Sequence, residues 1–141
     1  MLELTIVTLL TATLAAVVVP KWSEFQAESQ LSSAAFAVSG DLQAIRQYAR
    51  RTSQSFDITI VGGGTTIEIT PPAPNLIGDS TGTIEYAARY PGFTFDSSTF
   101  GGVSTATIDH RGDMNVSGSY VPPSSNPVVI NLGGVTVSVS L

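Results

Sequence analysis

Apolar and polar positions divide the chain into three stretches. Residues 1–20, MLELTIVTLLTATLAAVVVP, hold 14 apolar side chains and a single charge, Glu3. Residues 4–20 are uncharged, and Lys21 and Trp22 follow at once. Further on, Leu31, Ala35, Val38, Leu42, Ile45 and Ala49 recur at steps of 4, 3, 4, 3 and 4. That spacing places them on one face of an amphipathic helix. Beyond residue 54 the period changes to two. SFDITIV (55–61) and TTIEIT (65–70) alternate around Gly62-Gly63-Gly64, and PVVINL (127–132) and VTVSVSL (135–141) alternate around Gly133-Gly134. Both read as β-hairpins. Between them, 82–86, 92–95 and 104–109 read as short strands.

Glycine and proline mark the boundary between the two regimes. Twelve of 13 glycines and seven of eight prolines lie after residue 61. The pattern therefore predicts an α+β fold. A long N-terminal helix, about residues 2–53 and kinked near Pro20, is expected to pack on antiparallel β-sheet. Proline removes one backbone hydrogen bond and clashes with the carbonyl four residues back, which is the reason for the kink. The divisions are an apolar tip, 1–21, and an α+β body, 22–141.

Composition narrows the function. The 141 residues carry 6 Lys and Arg and 11 Asp and Glu, a net charge of −5. Only 12% of positions are charged, against roughly 25% in a typical soluble domain. The acidic balance argues against a nucleic-acid partner, which needs an excess of Lys and Arg to displace counterions. There is no cysteine, which excludes disulfides, thiol catalysis and cysteine-ligated zinc.

The apolar tip has three competing readings. A secretory signal peptide begins with positive charge, whereas this segment begins acidic. A buried core helix leaves unexplained why the most apolar stretch sits at the terminus with a carboxylate inside it. A membrane anchor fits best. As a helix, residues 4–20 span about 25 Å, near the lower limit for crossing a bilayer. Lys21 and Trp22 suit the membrane interface. Glu3 is then the residue to explain, because a carboxylate in such a helix is expensive and usually has a partner. Either it reaches the headgroup region, or its partner is a cation on another molecule. The second case implies assembly.

Glu3-Leu4, the run of apolar and Thr residues, and Ala15-Ala16-Val17-Val18-Val19-Pro20 resemble the N-terminal segment of type IV pilins and type II secretion pseudopilins. In that family a glutamate is followed by an apolar helix with a proline seventeen residues on, the spacing from Glu3 to Pro20. The family's mature chain has four residues before the glutamate and a preceding leader; here only Met1 and Leu2 stand there. Ser39-Gly40-Asp41-Leu42-Gln43-Ala44-Ile45-Arg46-Gln47-Tyr48-Ala49 and the strand ending in Arg111-Gly112 resemble the GspH/FimT family of H-type minor pseudopilins.

The resemblance implies a structural subunit of a type IV pilus or a type II secretion pseudopilus, with no enzymatic activity, cofactor or metal. It implies an inner-membrane protein that moves into a periplasmic or extracellular filament. Glu3 and Pro20 are the assembly residues it points to, with Glu3 neutralising the terminal amine of a neighbouring subunit. The implied partners are copies of the chain, other pilins or pseudopilins, inner-membrane lipid, a prepilin peptidase, a platform protein and an assembly ATPase. N-terminal methylation and a role in protein transport belong to the same expectation. The alternative is a minor pilin that binds DNA or another ligand at the filament surface or tip.

Candidate chemistry elsewhere is sparse. His110 is the only histidine, flanked by Asp109 and near Asp113. Neighbours on a strand point to opposite faces, so a polar strand end leading into a turn at Gly112 is favoured over an acid–base pair. Arg111-Gly112-Asp113 is a tripeptide some adhesion receptors recognise, and turn propensity accounts for it. Gly62-Gly63-Gly64 joins two strands, whereas a phosphate loop should open a helix. Asp79 and Asp96 lie in loops where calcium is conceivable, without dense ligand spacing. Arg46, Arg50 and Arg51 form the one basic cluster and complement a helix C-terminus.

Overall fold

The computed structural model describes residues 2–73, 82–122 and 128–139. Within its helix, the side chains of 2–5, 16–21, 23 and 24 lie outside the described set.

Helix α1 (Leu2–Thr52) is followed by β1 (Phe56–Ile60), β2 (Thr66–Thr70), β3 (Thr83–Glu85) and β4 (Phe93–Phe95). A short 3-10 turn, Thr99–Gly102, leads to β5 (Thr105–Ile108), β6 (Met114–Val116) and β7 (Ser119–Val121). Strands β8 (Val128–Leu132) and β9 (Val135–Val139) close the chain. All described pairings are antiparallel. They form a six-stranded sheet in the order β3-β2-β1-β5-β6-β7 and a three-stranded sheet in the order β4-β8-β9.

The expectation of a long N-terminal helix packed on sheet is corrected. The body is mostly sheet, and the helix that packs on it is the part from about residue 25 to Thr52. Its buried side chains run from Leu31 to Ala49, whereas Ile6 to Ala15 are exposed. The reason lies in the pattern. From Leu31 onward apolar residues keep one face, which a sheet can cover. In the tip they surround the helix, so no single sheet can bury them. The helix is continuous through Pro20, so the expected kink there does not break it.

The packed face is Leu31, Ala34, Val38, Leu42, Ile45 and Ala49, all nearly inaccessible. Ala34 is buried where the sequence pattern favoured Ala35, which is half-buried beside it. This face lies against β9, β8 and β5. Strand alternation supplies the other half of the core. In β1, Phe56, Ile58 and Ile60 point inward, and Ile58 sits between Ile69 of β2 and Ala106 of β5.

Turn chemistry sets the register. Gly133 and Gly134 have φ of 60° and 87°, the left-handed pair that a two-residue hairpin requires, and Gly134 N–H donates to Asn131 Oδ1 at 3.1 Å. The Gly62–Gly64 loop is also a hairpin turn, and it does a second job. Gly63 N–H donates to Phe95 O (2.7 Å) and Phe95 N–H to Gly64 O (2.9 Å), which seals the outer edge of β4. The buried Thr99 hydroxyl is satisfied twice on Val129, donating to its carbonyl (2.8 Å) and accepting from its N–H (3.2 Å).

Ser53 ends the helix in the left-handed region, with φ of 52°, while Gln54 N–H donates to Ala49 O at 3.2 Å. Glycine normally holds this position, since a side chain there costs about 1 kcal/mol or more. Ser53→Gly is therefore expected to raise stability by about 1 kcal/mol, seen as a higher urea midpoint with an unchanged slope.

Candidate functional site

The exposed surface of α1 is the feature that needs explaining. The tip carries Ile6 (51% exposed), Val7, Leu9 (70%), Leu10 and Leu14 in the open. Thr11 and Thr13 turn their hydroxyls back onto helix carbonyls, Thr13 to Leu9 O at 3.0 Å and Thr11 to Val7 O at 2.5 Å. Both hydroxyls are thereby satisfied within the helix itself. Farther along, Trp22 (62%), Phe25 (66%) and Phe36 (77%) are exposed, although the helix already buries another face on the sheets. At 100° per residue these three aromatics fall within about 60° of one another, opposite Val38. Ser29, Ser32, Ser33 and Gly40 lie on the same side, all uncharged and small. The helix is thus apolar on the face turned away from its own core as well as on the buried one.

Beside this stripe runs a groove of about 410 Å³ between α1 and β9. Leu31, Ala35 and Phe36 form one wall and Val135, Val137 and Val139 the other. Glu28, at its margin, is the only charged lining residue among those described. The inward-facing residues of β9 lose cover progressively, from buried Val139 through half-buried Val137 to exposed Val135. Among the described strands, β9 is the edge of its sheet, and it carries neither charge nor proline.

The predicted assembly residues Glu3 and Pro20 lie on the α1 backbone, and their side chains are outside the described residues, as is that of Lys21. Among the described residues, no helix is long and apolar enough to cross a membrane.

The other candidates resolve into local structure. Asp109 accepts hydrogen bonds from Asp113 N–H (2.9 Å) and Arg111 N–H (2.8 Å), and these, the Asp113 bond first, hold its carboxyl below the usual range. It is a turn-forming residue, and His110 beside it is exposed. Asp96 closes another turn, accepting from the Ser98 hydroxyl (2.7 Å) and N–H (2.8 Å), which lower its pKa. Asp79 lies outside the described residues. Among the described residues no three His, Asp or Glu side chains gather where they could hold a metal.

The basic cluster is partly committed as well. Arg50 Nε donates to Arg111 O at 2.6 Å, tying the helix end to the β5–β6 turn. Burial first, and then Arg50 nearby, pull the Arg46 guanidinium below its ordinary pKa. Gly112 is buried with φ of 81°, and a Cβ there would collide with Arg50 Nε. This explains the Arg-Gly pair structurally: the carbonyl of Arg111 and the bare Cα of Gly112 together receive one guanidinium. Gly112→Ala is expected to cost about 1–3 kcal/mol in a denaturant melt, combining left-handed strain with displacement of Arg50.

The residues the sequence reading passed over are Phe25, Phe36 and the groove. Phe25 and Phe36 stand off the buried stripe in sequence, a signal that was there to be read; the groove exists only once β9 is placed beside α1. No family model matches the chain, and no curated protein and no solved structure matches it either.

Proposed function

We propose that the chain is a structural subunit of a type IV pilus or type II secretion pseudopilus-like filament, held in the bacterial inner membrane by its N-terminal helix before assembly. The observation that carries this reading is the exposed apolar tip, continuous with a folded body that covers only the later part of the same helix. Such a tip needs a non-aqueous partner. Lipid supplies it before assembly, and the helices of other subunits supply it afterwards. Exposed on α1 of an isolated subunit, this much apolar surface would drive non-specific association. The low overall charge fits the same account, because charges buried between subunits are costly unless paired.

Fractionation tests the anchoring step. The full chain is expected in the inner membrane, resistant to alkaline extraction, and a chain starting at Trp22 is expected in the soluble fraction. A full chain found in the soluble fraction would contradict the anchor.

A ligand-binding role at a filament surface or tip has less support. The body is acidic overall, and one member of its basic cluster, Arg50, is engaged in a fold contact. Salt-sensitive DNA binding in a gel-shift assay would favour that alternative.

A further inference from the structure

We propose that the groove between α1 and β9 receives Trp22 and Phe25 of a second copy of this chain, with the two helices parallel and staggered by seven residues. This rests on the filament-subunit reading and names the contact within it.

The argument begins with unmatched halves. The groove is apolar, open to solvent and about 410 Å³, within the size range of pockets that enclose compact ligands. It suits one or two large side chains and is too small for a folded element. Trp22 and Phe25 are large, exposed and one helical turn apart, so they project together. Among the described residues, neither feature has an occupant within its own chain.

Charge picks the register. Among the described residues, Glu28 is the only charged one lining the groove. Lys21 carries the only cationic side chain in the first 45 residues of the sequence, and it directly precedes Trp22. Setting Lys21 of one copy beside Glu28 of the next fixes an offset of seven residues, about 10.5 Å along the axis. With parallel helices the same offset brings Phe25 beside Ser32, within the groove. With antiparallel helices it would carry Trp22 and Phe25 away from the groove.

The donor patch at 21–25 and the acceptor groove at 28–39 are different surfaces. The contact is therefore head-to-tail: each copy can give and receive at once, and the series does not close into a dimer.

The absence of cysteine makes a clean test possible. Phe25→Cys and Ser32→Cys are placed together in the full chain and oxidised in the envelope of producing cells. Both sites are exposed, so folding is retained. Within one chain the two lie about 10.5 Å apart on one helix, beyond disulfide reach of about 7 Å, so every bridge joins two copies. The expected result is a ladder of oligomers on a non-reducing gel. Phe25→Cys paired with Gln43→Cys, outside the groove, is expected to give none. Adding Glu28→Lys should lower the bridged fraction roughly two- to five-fold, and adding Lys21→Glu as well should restore it. Equal ladders from both cysteine pairs would overturn the proposal. Filaments visible by electron microscopy without a ladder would overturn this contact while leaving the subunit reading in place. Neither filaments nor ladder would overturn both.

Discussion

Tyr86→Ala is expected to remove about 3–5 kcal/mol of folding stability, a large part of what a domain of this size has. Tyr86 is 1% exposed. Its ring packs against Phe93 (5.2 Å between centroids) and edge-on against Phe95 (5.8 Å), and Phe93 and Phe95 meet edge-to-face at 4.9 Å. The phenol donates to Asp41 Oδ2 at 2.7 Å. That bond joins the helix to the segment after β3 across 45 positions. Truncation to alanine removes the ring contacts, opens a cavity and strands the carboxylate together.

Tyr86→Phe separates these effects. It keeps the ring and deletes only the hydroxyl, so about 1–3 kcal/mol is expected, toward the lower end because Asp41 is only half-buried. The pH dependence gives an independent check. Burial, and after it the hydrogen bond to Asp41, push the phenol far above its ordinary range. The fold thus favours the neutral ring. Its contribution is fully present below about pH 10, where the unfolded tyrosine begins to ionise, and falls as pH rises beyond that by up to about 1.4 kcal/mol per unit. Urea melts of the native chain should weaken along this alkaline limb, and those of Tyr86→Phe should weaken less steeply. Equal slopes would show that Tyr86 does not carry the effect.

Glu3→Ala is expected to leave the chain in the membrane and to exclude it from filaments. The resemblance to pilins assigns Glu3 to the terminal amine of a neighbouring subunit. Breaking an ion pair in apolar surroundings leaves one charge buried alone, about 3–5 kcal/mol, which is a hundredfold or more in the equilibrium for each contact. On the proposed reading, removing Glu3 spares the anchoring step, because the apolar residues that would drive it are untouched. The measurement is the ratio of subunit in sheared filaments to subunit in the membrane. Normal incorporation would remove this account of Glu3.

What the sequence disclosed follows the range of the interactions concerned. The hairpins around Gly62–Gly64 and Gly133–Gly134 are local, set by alternation and turn residues, and their strands fall where the alternation places them. The β6–β7 hairpin had a comparable signal in Met114–Val121 around Ser117-Gly118, with three-residue strands too short to stand out. The division into two sheets was not legible, since it depends on β4 pairing with β8, as in Phe95 with Ile130 and Phe93 with Leu132, far along the chain. The same holds for Tyr86 on Asp41 and for Arg50 on Arg111, whose donors and acceptors are unremarkable until the fold brings them together. The packed part of the helix is shorter than expected because only the later stretch keeps its apolar residues on one face. A stripe such as Leu31 to Ala49 finds a sheet, and an all-round apolar tip such as Ile6 to Leu14 finds none within its own chain. The candidate assembly surface was half legible: Glu3 and the tip show in the sequence, whereas the groove beside β9 does not.

The central claim is that this chain is a building block of a filament. Electron microscopy of filaments sheared from producing cells, with mass spectrometry of their protein, tests it most directly. The account predicts thin filaments whose protein includes this chain with its apolar N-terminal helix intact. Filaments lacking the chain, or a chain recovered only as a free soluble protein, would contradict it.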